Sequence, residues 1–281
     1  MIEVLSAGLY TTIQDNGRFG FRKYGVPLSG FMDSYSALLA NQLVGNNYDC
    51  ALMEITLSGP QLKFSSDTVI AITGAGFSPT LNNVEIPINS LIKVNKNSVL
   101  KFGVASYGLL AYLSVSGGFK TEKILGSYSY YRDITSISKL RKGDLLKISP
   151  TKRTYSISNV LVKTEKAHFN SRIIEVYKGC EFDLIRGGNK EELFNTDFTI
   201  SSESNRMAYL LKGNKKFSAK EIITAPVQPG TVQLTPSGQF IVLMRDCQTT
   251  GGYARVFQLT DRAINRIAQK RGGESILFKL K

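Results

Sequence analysis

The chain has 281 residues, 42% hydrophobic and 20% charged, which provides enough apolar sequence for a buried core and excludes a disordered tail. Its 25 glycines, 15 phenylalanines and 13 tyrosines favour strands and tight turns over a helical bundle. The formal charge of +13 is dispersed mainly over residues 151–281, and without an aromatic platform or a recognisable module it favours anionic small substrates or an acidic protein partner over nucleic acid.

Cysteine and histidine usage excludes several kinds of site. Cys50, Cys180 and Cys247 are odd in number and widely spaced, so we expect free thiols in a reducing compartment rather than disulfides or a structural zinc site. The single histidine, His168, excludes any centre that needs two or three imidazoles, and we expect it at the surface or in a linker. Glu3 stands where a signal peptide would carry positive charge, which predicts a cytoplasmic protein.

One clear helix is predicted in the first half, within MDSYSALLANQLVGN. Asp33 or Ser34 can cap its N-terminus, and Gly45 stands where a left-handed residue ends a helix. Its larger side chains fall on one face: Tyr35, Leu38, Leu39 and Leu43.

Most other predicted elements are short strands separated by Gly and Pro, at residues 51–56, 68–73, 90–94, 99–102, 109–115, 145–148, 172–176, 232–234, 240–244 and 275–279. Such spacing is typical of β-barrels. The uncharged stretch 102–119 is about long enough to span a bilayer. Its glycines, serines and alternating pattern instead predict buried strands that end in a Gly-Gly turn, so no membrane segment is expected.

A polar, basic stretch divides the chain into two predicted domains. We place the first domain at residues 1–150, the linker at 151–171 and the second domain at 172–281. Within the second domain, DRAINRIAQKR predicts a solvated amphipathic helix with four cations on its polar face, Arg262, Arg266, Lys270 and Arg271.

Three segments rich in Gly, Pro and uncharged polar residues hold the candidate site residues. The first segment, at 11–33, brings polar side chains onto a backbone that can turn sharply, among them Gln14, Asp15, Arg18 and Ser29. An Asp-Asn-Gly turn followed by a helix cap explains Asp15 and Asp33 equally well.

The second segment is SNRMAYLLKG at 204–213. Arg206 follows a Ser-Asn turn and precedes an apolar strand, where a guanidinium can bind a carboxylate or phosphate through two hydrogen bonds. An ordinary surface arginine at a strand entry is the alternative.

The third segment, at 225–255, places Asp246 after an apolar strand, where a carboxylate can act as a general base. The backbone amides of Gly251 and Gly252 can donate to a developing oxyanion, or the pair can simply form a hairpin turn. Other polar residues of this cluster are Gln248, Thr249, Thr250 and Tyr253.

Together these segments resemble one family. The strings TTIQDNGRFGFRKYGVPLSGFMD, ANQLVGN, LMEITLSGP, ITGAG, YLSVSGGF, LGS, LRKGDLL, SNRMAYLLKG and DCQTTGGY occur in the order found in the biotin-dependent carboxyltransferase-like family. That family includes the C subunit of bacterial ATP-dependent 5-oxoprolinase, the antagonist of the Kip sporulation-kinase inhibitor, proteins labelled allophanate hydrolase subunit 2, and the carboxyltransferase part of urea carboxylase.

The resemblance implies a mainly β fold with two consecutive cyclophilin-like β-barrel domains and few short helices. It implies that the chain is the C subunit of a complex, inactive alone, that opens the lactam of 5-oxoproline to L-glutamate together with an A subunit and a B subunit, the latter of similar fold. ATP and magnesium would act at the level of the complex, and this chain would carry no covalently attached biotin. The alternatives are a regulatory antagonist of a kinase inhibitor that resembles the B subunit, and a carboxyltransferase that uses carboxybiotin on urea or a related amide.

The resemblance also implies roles for the polar residues. The candidate catalytic residues are Asp15, Arg18, Arg206 and Asp246, the arginines to bind an anion and the aspartates for proton transfer or magnesium. The candidate substrate-binding residues are Gln14, Ser29, Gln248, Thr249, Thr250, Gly251, Gly252 and Tyr253. No metal site is predicted within this chain.

Five positions depart from the family pattern. Asn205, Ala208 and Leu210 stand in place of an acidic residue, a glycine and a second arginine, and Tyr128 and Tyr130 replace an arginine and a threonine. The two lost arginines remove positive groups that could hold an anion. This leaves room for a divergent substrate or a regulatory role.

Overall fold

The computed structural model describes residues 1–149, 161–186 and 190–281. Strands predominate in these residues and the helices are few and short, which confirms the expected mainly β class. The chain separates into two compact units, the first formed by Met1–Arg18 with Ser29–Glu165 and the second by Phe19–Leu28 with Lys166–Lys281. Phe19–Leu28 belongs to the second unit, whereas the predicted first domain is continuous over residues 1–150. Residues 150–160, which include the first ten residues of the predicted linker, lie outside the described residues, so the predicted boundaries stay a prediction.

The first unit is built from two antiparallel sheets and one helix. Its elements are β1 (Ile2–Ser6), β2 (Tyr10–Gln14), α1 (Ser34–Leu43), β3 (Leu52–Thr56), β4 (Gln61–Phe64), β5 (Thr68–Gly74), β6 (Thr80–Leu81), β7 (Val84–Glu85), β8 (Leu91–Val94), β9 (Val99–Lys101), β10 (Leu110–Val115) and β11 (Leu145–Leu146). The strand order is β11-β1-β4-β9-β6-β7 in one sheet and β2-β3-β10-β5-β8 in the other.

The core of the first unit lies between these two sheets. Side chains from β1 and β4 pack with side chains from β3, β5 and β10 in one apolar cluster. Every residue of β5 and β10 is buried, because the core covers one face of these strands and α1 contacts the other. This explains why both strands are apolar along most of their length rather than alternating.

Helix α1 begins as predicted but buries the opposite face. The Asp33 side chain accepts from the Ser36 amide at 3.2 Å, which confirms the cap, and Gly45 has a positive φ of 65°. The buried residues are Ser36, Ala37, Ala40 and Asn41, whereas Tyr35 is 41% exposed. Small residues let the helix backbone approach the sheet, and the Thr73 hydroxyl donates to the Ser36 carbonyl at 2.6 Å. The close approach of the helix to the sheet, rather than the apolar pattern of the sequence, therefore determines which face of α1 is buried.

The second unit contains a closed barrel. Its elements are α2 (Lys166–Asn170), β12 (Ile173–Lys178), β13 (Ile185–Arg186), β14 (Phe198–Ile200), β15 (Ala208–Gly213), β16 (Ser218–Ala219), β17 (Ala225–Pro226), β18 (Thr231–Leu234), β19 (Phe240–Leu243), β20 (Thr250–Gly251), β21 (Ala254–Leu259), α3 (Asp261–Ala268) and β22 (Ser275–Leu280). Short 3-10 turns occupy Arg22–Tyr24, Phe182–Leu184 and Lys190–Asn195. The barrel order is β12-β21-β18-β19-β15-β14-β22, and β17 with β20 forms a separate two-stranded ribbon.

Aromatic side chains fill this barrel. Phe198, Phe240, Phe257 and Phe278 are buried, and their ring centroids lie 4.9 to 6.4 Å apart in successive contacts. The closed barrel agrees with one of the two expected barrels. The strands of the first unit are divided between two sheets, so a second barrel is not confirmed.

The ten predicted strands are all present, with ends within two residues of the predicted ones. The uncharged stretch 102–119 contains the buried strand β10, and the positive φ angles of Gly117 and Gly118 form the turn after it. No described helix is both long enough and apolar enough to cross a membrane.

Two expectations of solvent exposure in the second unit are wrong. Arg266 and Lys270 are 8% and 2% exposed, because α3 contacts β12 and β21 of the barrel and also α2. The Lys270 ammonium donates to the Phe169 carbonyl in α2 at 2.6 Å, and its burial lowers the pKa of this lysine. His168, expected in a surface or linker position, is also buried in α2, with its ring edge-on to Phe169 at 4.9 Å.

A pair of glycine substitutions tests the packing of the first unit. Gly74 has a φ of +95°, and a Cβ there would lie 2.5 Å from the Leu110 carbonyl oxygen, whereas a Cβ at Gly103 would meet nothing within 4 Å. We expect Gly74→Ala to lower the free energy of unfolding by roughly 2 kcal/mol or more, from backbone strain and steric overlap. Gly103→Ala is expected to be nearly neutral in the same urea titration. Equal stability of the two variants would contradict the close pairing of β5 with β10.

Candidate functional site

The carboxylate of Asp15 binds a loop of the first unit. Asp15 is 5% exposed, and its two oxygens accept from the Ser127 hydroxyl at 2.6 Å, the Ser129 hydroxyl at 2.7 Å and the Tyr128 amide at 2.6 Å. A fourth donor is the Gly17 amide at 2.9 Å. A buried carboxylate that accepts from four donors is held in one position by them. Asp15 therefore has a structural task in this chain.

Arg18 binds the same loop through backbone carbonyls. It is fully buried, and its guanidinium donates from Nε to the Ile124 carbonyl at 3.1 Å and from Nη2 to the Ser129 carbonyl at 2.8 Å. These carbonyl partners orient the positive charge toward the loop between residues 124 and 129. The contacts explain why an arginine follows the Asp-Asn-Gly turn.

The chain from Gly30 to Asp33 is fixed by a series of backbone amides. Four consecutive amides donate in turn, from Gly30 to Gln14 Oε1 at 3.2 Å, from Phe31 to the Asp15 carbonyl at 3.1 Å, from Met32 to Glu54 Oε2 at 2.9 Å and from Asp33 to Tyr112 Oη at 2.8 Å. Burial, and then the nearby charge of Glu54, raise the pKa of Tyr112 well above its usual value. Gln14 therefore orients the backbone of this segment.

Ser29 differs from its polar neighbours. It adopts a positive φ of 55°, which is rare for a residue with a side chain, and it is 1% exposed. Within the described residues its hydroxyl makes no hydrogen bond. A strained backbone with an unsatisfied buried hydroxyl is a combination that occurs at binding sites.

Arg206 and Asp246 form an ion pair in the second unit. Nε and Nη2 of Arg206 donate to the two carboxylate oxygens of Asp246 at 2.8 and 3.1 Å, and the side chains are 12% and 11% exposed. The Asp246 amide also donates to the Arg206 carbonyl at 2.9 Å. The sequence suggested separate tasks for these residues, whereas the structure brings them together as one neutral, two-bond pair. The Nε and Nη2 donors of Arg206, which could otherwise bind a substrate carboxylate, are therefore already occupied by Asp246.

The segment after Asp246 combines buried and accessible groups. The Gln248 Oε1 atom is buried and accepts no hydrogen bond from the described residues. Gly251 approaches another side chain closely, since a Cβ there would lie 2.6 Å from Gln233 Nε2. The nearest atom to a Cβ at Gly252 would be the Ile222 carbonyl oxygen at 3.3 Å, and Tyr253 is 38% exposed. The absence of a side chain at Gly251 thus allows Gln233 to approach the β17–β20 ribbon closely.

A cavity of about 560 Å³ lies beside this ribbon in the second unit. Its lining consists of Phe19, Arg22, Lys23, Leu28, Pro226, Val227, Gln228, Pro229, Thr249 and Thr250. Two cations and no carboxylate occur in this lining. The volume is within the range of roughly 300 to 1,000 Å³ that is usual for small-molecule sites.

Arg22 is held at the edge of this cavity. Its Nη2 donates to the Val227 carbonyl, and the Val227 amide donates in turn to the Thr249 carbonyl at 3.0 Å. Burial raises the pKa of the neighbouring Cys247 thiol to about 11, although the charge of Arg22 acts in the opposite direction. Cys247 is therefore a neutral packing group at neutral pH.

The sequence did not point to Arg22, Lys23 and Gln228, which line this cavity. The strings that contain them, FGFRKYG and APVQPG, were recognised as parts of polar, glycine-rich segments. The available signal was two adjacent cations between Gly20 and Gly25, with aromatic residues on either side. What the sequence does not reveal is that Phe19–Leu28 belongs to the second unit, which brings Arg22 beside Thr249 and Thr250.

The two candidate aspartates do not fit a magnesium site. No group of three or more acidic, histidine or cysteine side chains suited to a metal ion occurs among the described parts of the chain. Asp15 is surrounded by hydroxyl and amide donors, and both oxygens of Asp246 accept from a guanidinium. A magnesium ion would need these carboxylate oxygens as ligands, but hydrogen-bond donors already occupy them.

The candidate residues are distributed over both units. Gln14, Asp15, Arg18 and Ser29 belong to the first unit, and the residues from Arg206 to Tyr253 belong to the second. In the second unit, Thr249 and Thr250 line the cavity. The roles assigned to all these residues in catalysis and substrate binding stay predictions.

Comparisons with known proteins extend over nearly the whole chain. A sequence model of the carboxyltransferase domain, subdomains A and B, matches residues 24–280. The chain is 31% identical to the 5-oxoprolinase C subunit of Escherichia coli strain K12, over 99% of its own length and 90% of that protein. It is also 30% identical to the urea amidolyase of Saccharomyces cerevisiae, over 99% of its own length but 16% of that protein.

Solved structures show the same fold. A crystal structure of TTHA0988 matches with a TM-score of 0.88 at 28% identity, covering 99% of this chain and 56% of that one. The crystal structure of the K. lactis urea amidolyase matches with a TM-score of 0.86 at 30% identity, covering 99% and 18% respectively. This chain therefore spans little more than half the length of TTHA0988.

The substitution Asp15→Asn tests the structural task of Asp15. An amide in that place turns an acceptor into a donor against a cluster of donors, so we expect the free energy of unfolding to fall by about 2 to 4 kcal/mol. The control is Asp67→Asn, an exposed carboxylate that accepts from the Lys96 amide at 2.6 Å, with an expected loss below about 1 kcal/mol. Equal unfolding midpoints for the two variants, measured in urea, would show that Asp15 does not have this structural task.

Proposed function

Since the chain belongs to the family of the carboxyltransferase domain, subdomains A and B, we propose that it is the C subunit of an ATP-dependent 5-oxoprolinase complex. The complex opens the lactam of 5-oxoproline to L-glutamate, and this chain is inactive without its partners. The observation that carries the proposal is the likeness to the E. coli C subunit, which extends over nearly all of both proteins.

The proposed partners are the other components of such a complex. We propose two other components in the cytoplasm, an A subunit and a protein like the B subunit, the latter of similar fold. Because the candidate aspartates do not suit magnesium, the ATP and its magnesium ion are assigned to the partner subunits. Covalently attached biotin is assigned no role in this chain. The family relationship also leads us to propose that both units derive from cyclophilin-like barrels, the first with its strands divided between two sheets.

The proposed chemistry requires an activated amide. ATP supplies a phosphoryl group to the lactam oxygen, and water then adds to the carbon, after which the C–N bond breaks and the ring nitrogen leaves as an amine. The resulting acyl phosphate reacts with a second water to give glutamate and phosphate. This chain contributes the groups that bind and orient the ring and that move a proton to the departing nitrogen.

Four residues of the second unit support these tasks. We assign proton transfer to Asp246, with Arg206 as the group that holds its carboxylate in place through two hydrogen bonds. The buried Oε1 of Gln248 has an open acceptor position that fits a lactam N–H. Thr249 lines the neighbouring cavity and offers a hydroxyl to the ring.

The first-unit candidates receive different tasks. Asp15, Arg18 and Gln14 maintain the loop and the Gly30–Asp33 segment, and their removal is expected to act through folding. Ser29, with its buried and unsatisfied hydroxyl, is retained as a substrate-binding candidate.

Reconstitution tests the proposal. Chain and partner subunits together are expected to release glutamate from 5-oxoproline only when ATP is present, and omission of this chain is expected to abolish the release. Glutamate is measured by a coupled dehydrogenase assay. Unchanged glutamate release in the absence of this chain would refute the proposal.

Asp246→Asn tests the assigned role of the carboxylate within the complex. We expect kcat to fall by at least about 100-fold, the range of a lost proton-transfer group. Glu181→Gln is a matched control, because Glu181 and Arg255 form the same kind of two-bond pair at 2.7 and 2.8 Å in the second unit. Both variants should lose similar stability in urea, whereas the control should keep its activity.

Two other outcomes would favour the alternatives. A regulatory antagonist would bind a homologue of the B subunit tightly and tolerate Asp246→Asn in a binding assay. A carboxyltransferase would transfer the carboxyl group from carboxybiotin to urea, which the likeness to urea amidolyases makes worth measuring in parallel.

A further inference from the structure

We infer that Arg22 and Lys23 form the binding site for the carboxylate of the small-molecule substrate, at the edge of the cavity beside the β17–β20 ribbon. The inference rests on the proposed function and deepens it, since it names the substrate class as a small ring that carries a carboxylate. Neither residue was among the sequence candidates.

Three other arginines of the candidate segments bind groups within the protein. Arg18 is fully buried against two backbone carbonyls, and Arg206 binds both oxygens of Asp246. Arg255, whose Nη1 also donates to the Pro226 carbonyl, binds both oxygens of Glu181. Arg22 and Lys23 remain as the cations that border the 560 Å³ cavity.

Arg22 is positioned before any ligand arrives. One of its N–H groups is used on the Val227 carbonyl, which belongs to a chain segment fixed to the Thr249 carbonyl. The guanidinium also forms a hydrogen bond with the Cys247 thiol. A guanidinium carries five N–H donors in a planar fork, so further donors remain for an oxyanion. A group held in place by the protein loses little conformational entropy on binding.

Lys23 is adjacent to Arg22 in a fixed turn. Arg22–Tyr24 is a 3-10 turn closed by the Gly25 amide, which donates to the Arg22 carbonyl at 3.0 Å. Gly25 has a φ of 79°, a conformation that favours glycine. The Lys23 ammonium lies 5.0 Å from the centroid of the Tyr24 ring. The turn therefore presents two positive charges at one edge of the cavity.

The remaining lining suits a small polar ring rather than a bare ion. Leu28, Pro226 and Pro229 offer apolar surface to ring methylenes, while Gln228 and the two threonines offer hydrogen-bonding groups. No carboxylate in the lining competes for the two cations. The combination fits a ligand with one oxyanion and one amide edge, as in 5-oxoproline.

Direct binding tests the inference without catalysis. The probes are 5-oxoproline, 2-pyrrolidinone, which lacks the carboxylate, and inorganic phosphate, titrated by calorimetry into the full chain alone and into the complex without ATP. The variants are Arg22→Gln, Lys23→Gln and the double variant, with Lys212→Gln as the control for removal of one exposed charge from the second unit. Lys23 is exposed, so its variant is expected to fold like the unchanged chain.

We expect 5-oxoproline to bind the unchanged chain or complex and 2-pyrrolidinone to bind much more weakly. The double variant is expected to raise the Kd for 5-oxoproline roughly 10- to 100-fold, the effect of losing charge-assisted hydrogen bonds. In the glutamate assay it is expected to raise KM for 5-oxoproline by a similar factor while kcat and the KM for ATP change little. Lys212→Gln should leave all these values unchanged.

The failure of this inference differs from the failure of the proposed function. Glutamate release with an unchanged KM in the double variant would overturn the inference and leave the function standing. Arg22-dependent binding of 5-oxoproline without any glutamate release would overturn the function and support the inference. Phosphate that binds at Arg22 and Lys23 while 5-oxoproline does not would overturn the assignment of the site to a carboxylate.

Discussion

The hydrogen bonds of the buried Asp15 carboxylate hold the loop at residues 127–129 of the first unit in place. A charge removed from water is tolerated only where donors replace the lost hydration, and Asp15 receives four. Its partners Ser127, Tyr128 and Ser129 belong to the loop whose carbonyls at Ile124 and Ser129 also accept from Arg18. Tyr128, one of the departures from the family pattern, contributes its backbone amide, so the anchor survives the change of side chain.

The anchored residues mark the points where the chain leaves the first unit and returns to it. The excursion Phe19–Leu28 starts directly after Arg18 and ends directly before Ser29, so anchored residues lie at both of its ends. Ser29 itself has a positive φ, and the amides from Gly30 to Asp33 are each bound by the first unit. Within this excursion, the 3-10 turn Arg22–Tyr24 carries the two cations that border the cavity of the second unit.

Much of the fold could be predicted because strand signals depend on local sequence. Buried strands such as β5 and β10 are recognised from apolar residues and flanking glycines. The buried face of α1 and the burial of Lys270 could not be predicted, since they depend on which element packs across the helix. For the site, the segments were recognisable but the individual tasks were not, because Arg206 and Asp246 are 40 residues apart and their pairing arises only in the folded chain.

The arginines show that burial and existing partners, rather than residue type, distinguish structural residues from ligand-binding residues in this chain. Arg18 and Arg22 lie in one short segment, yet the first is fully buried on carbonyl oxygens and the second borders a cavity. Arg206 and Arg255 are each neutralised by a carboxylate. An arginine already paired with a carboxylate must give up that pair before it binds a substrate anion, which costs much of the new interaction. Cations without a carboxylate in their cavity face no such competition, so selective recognition of an acid is favoured at Arg22 and Lys23.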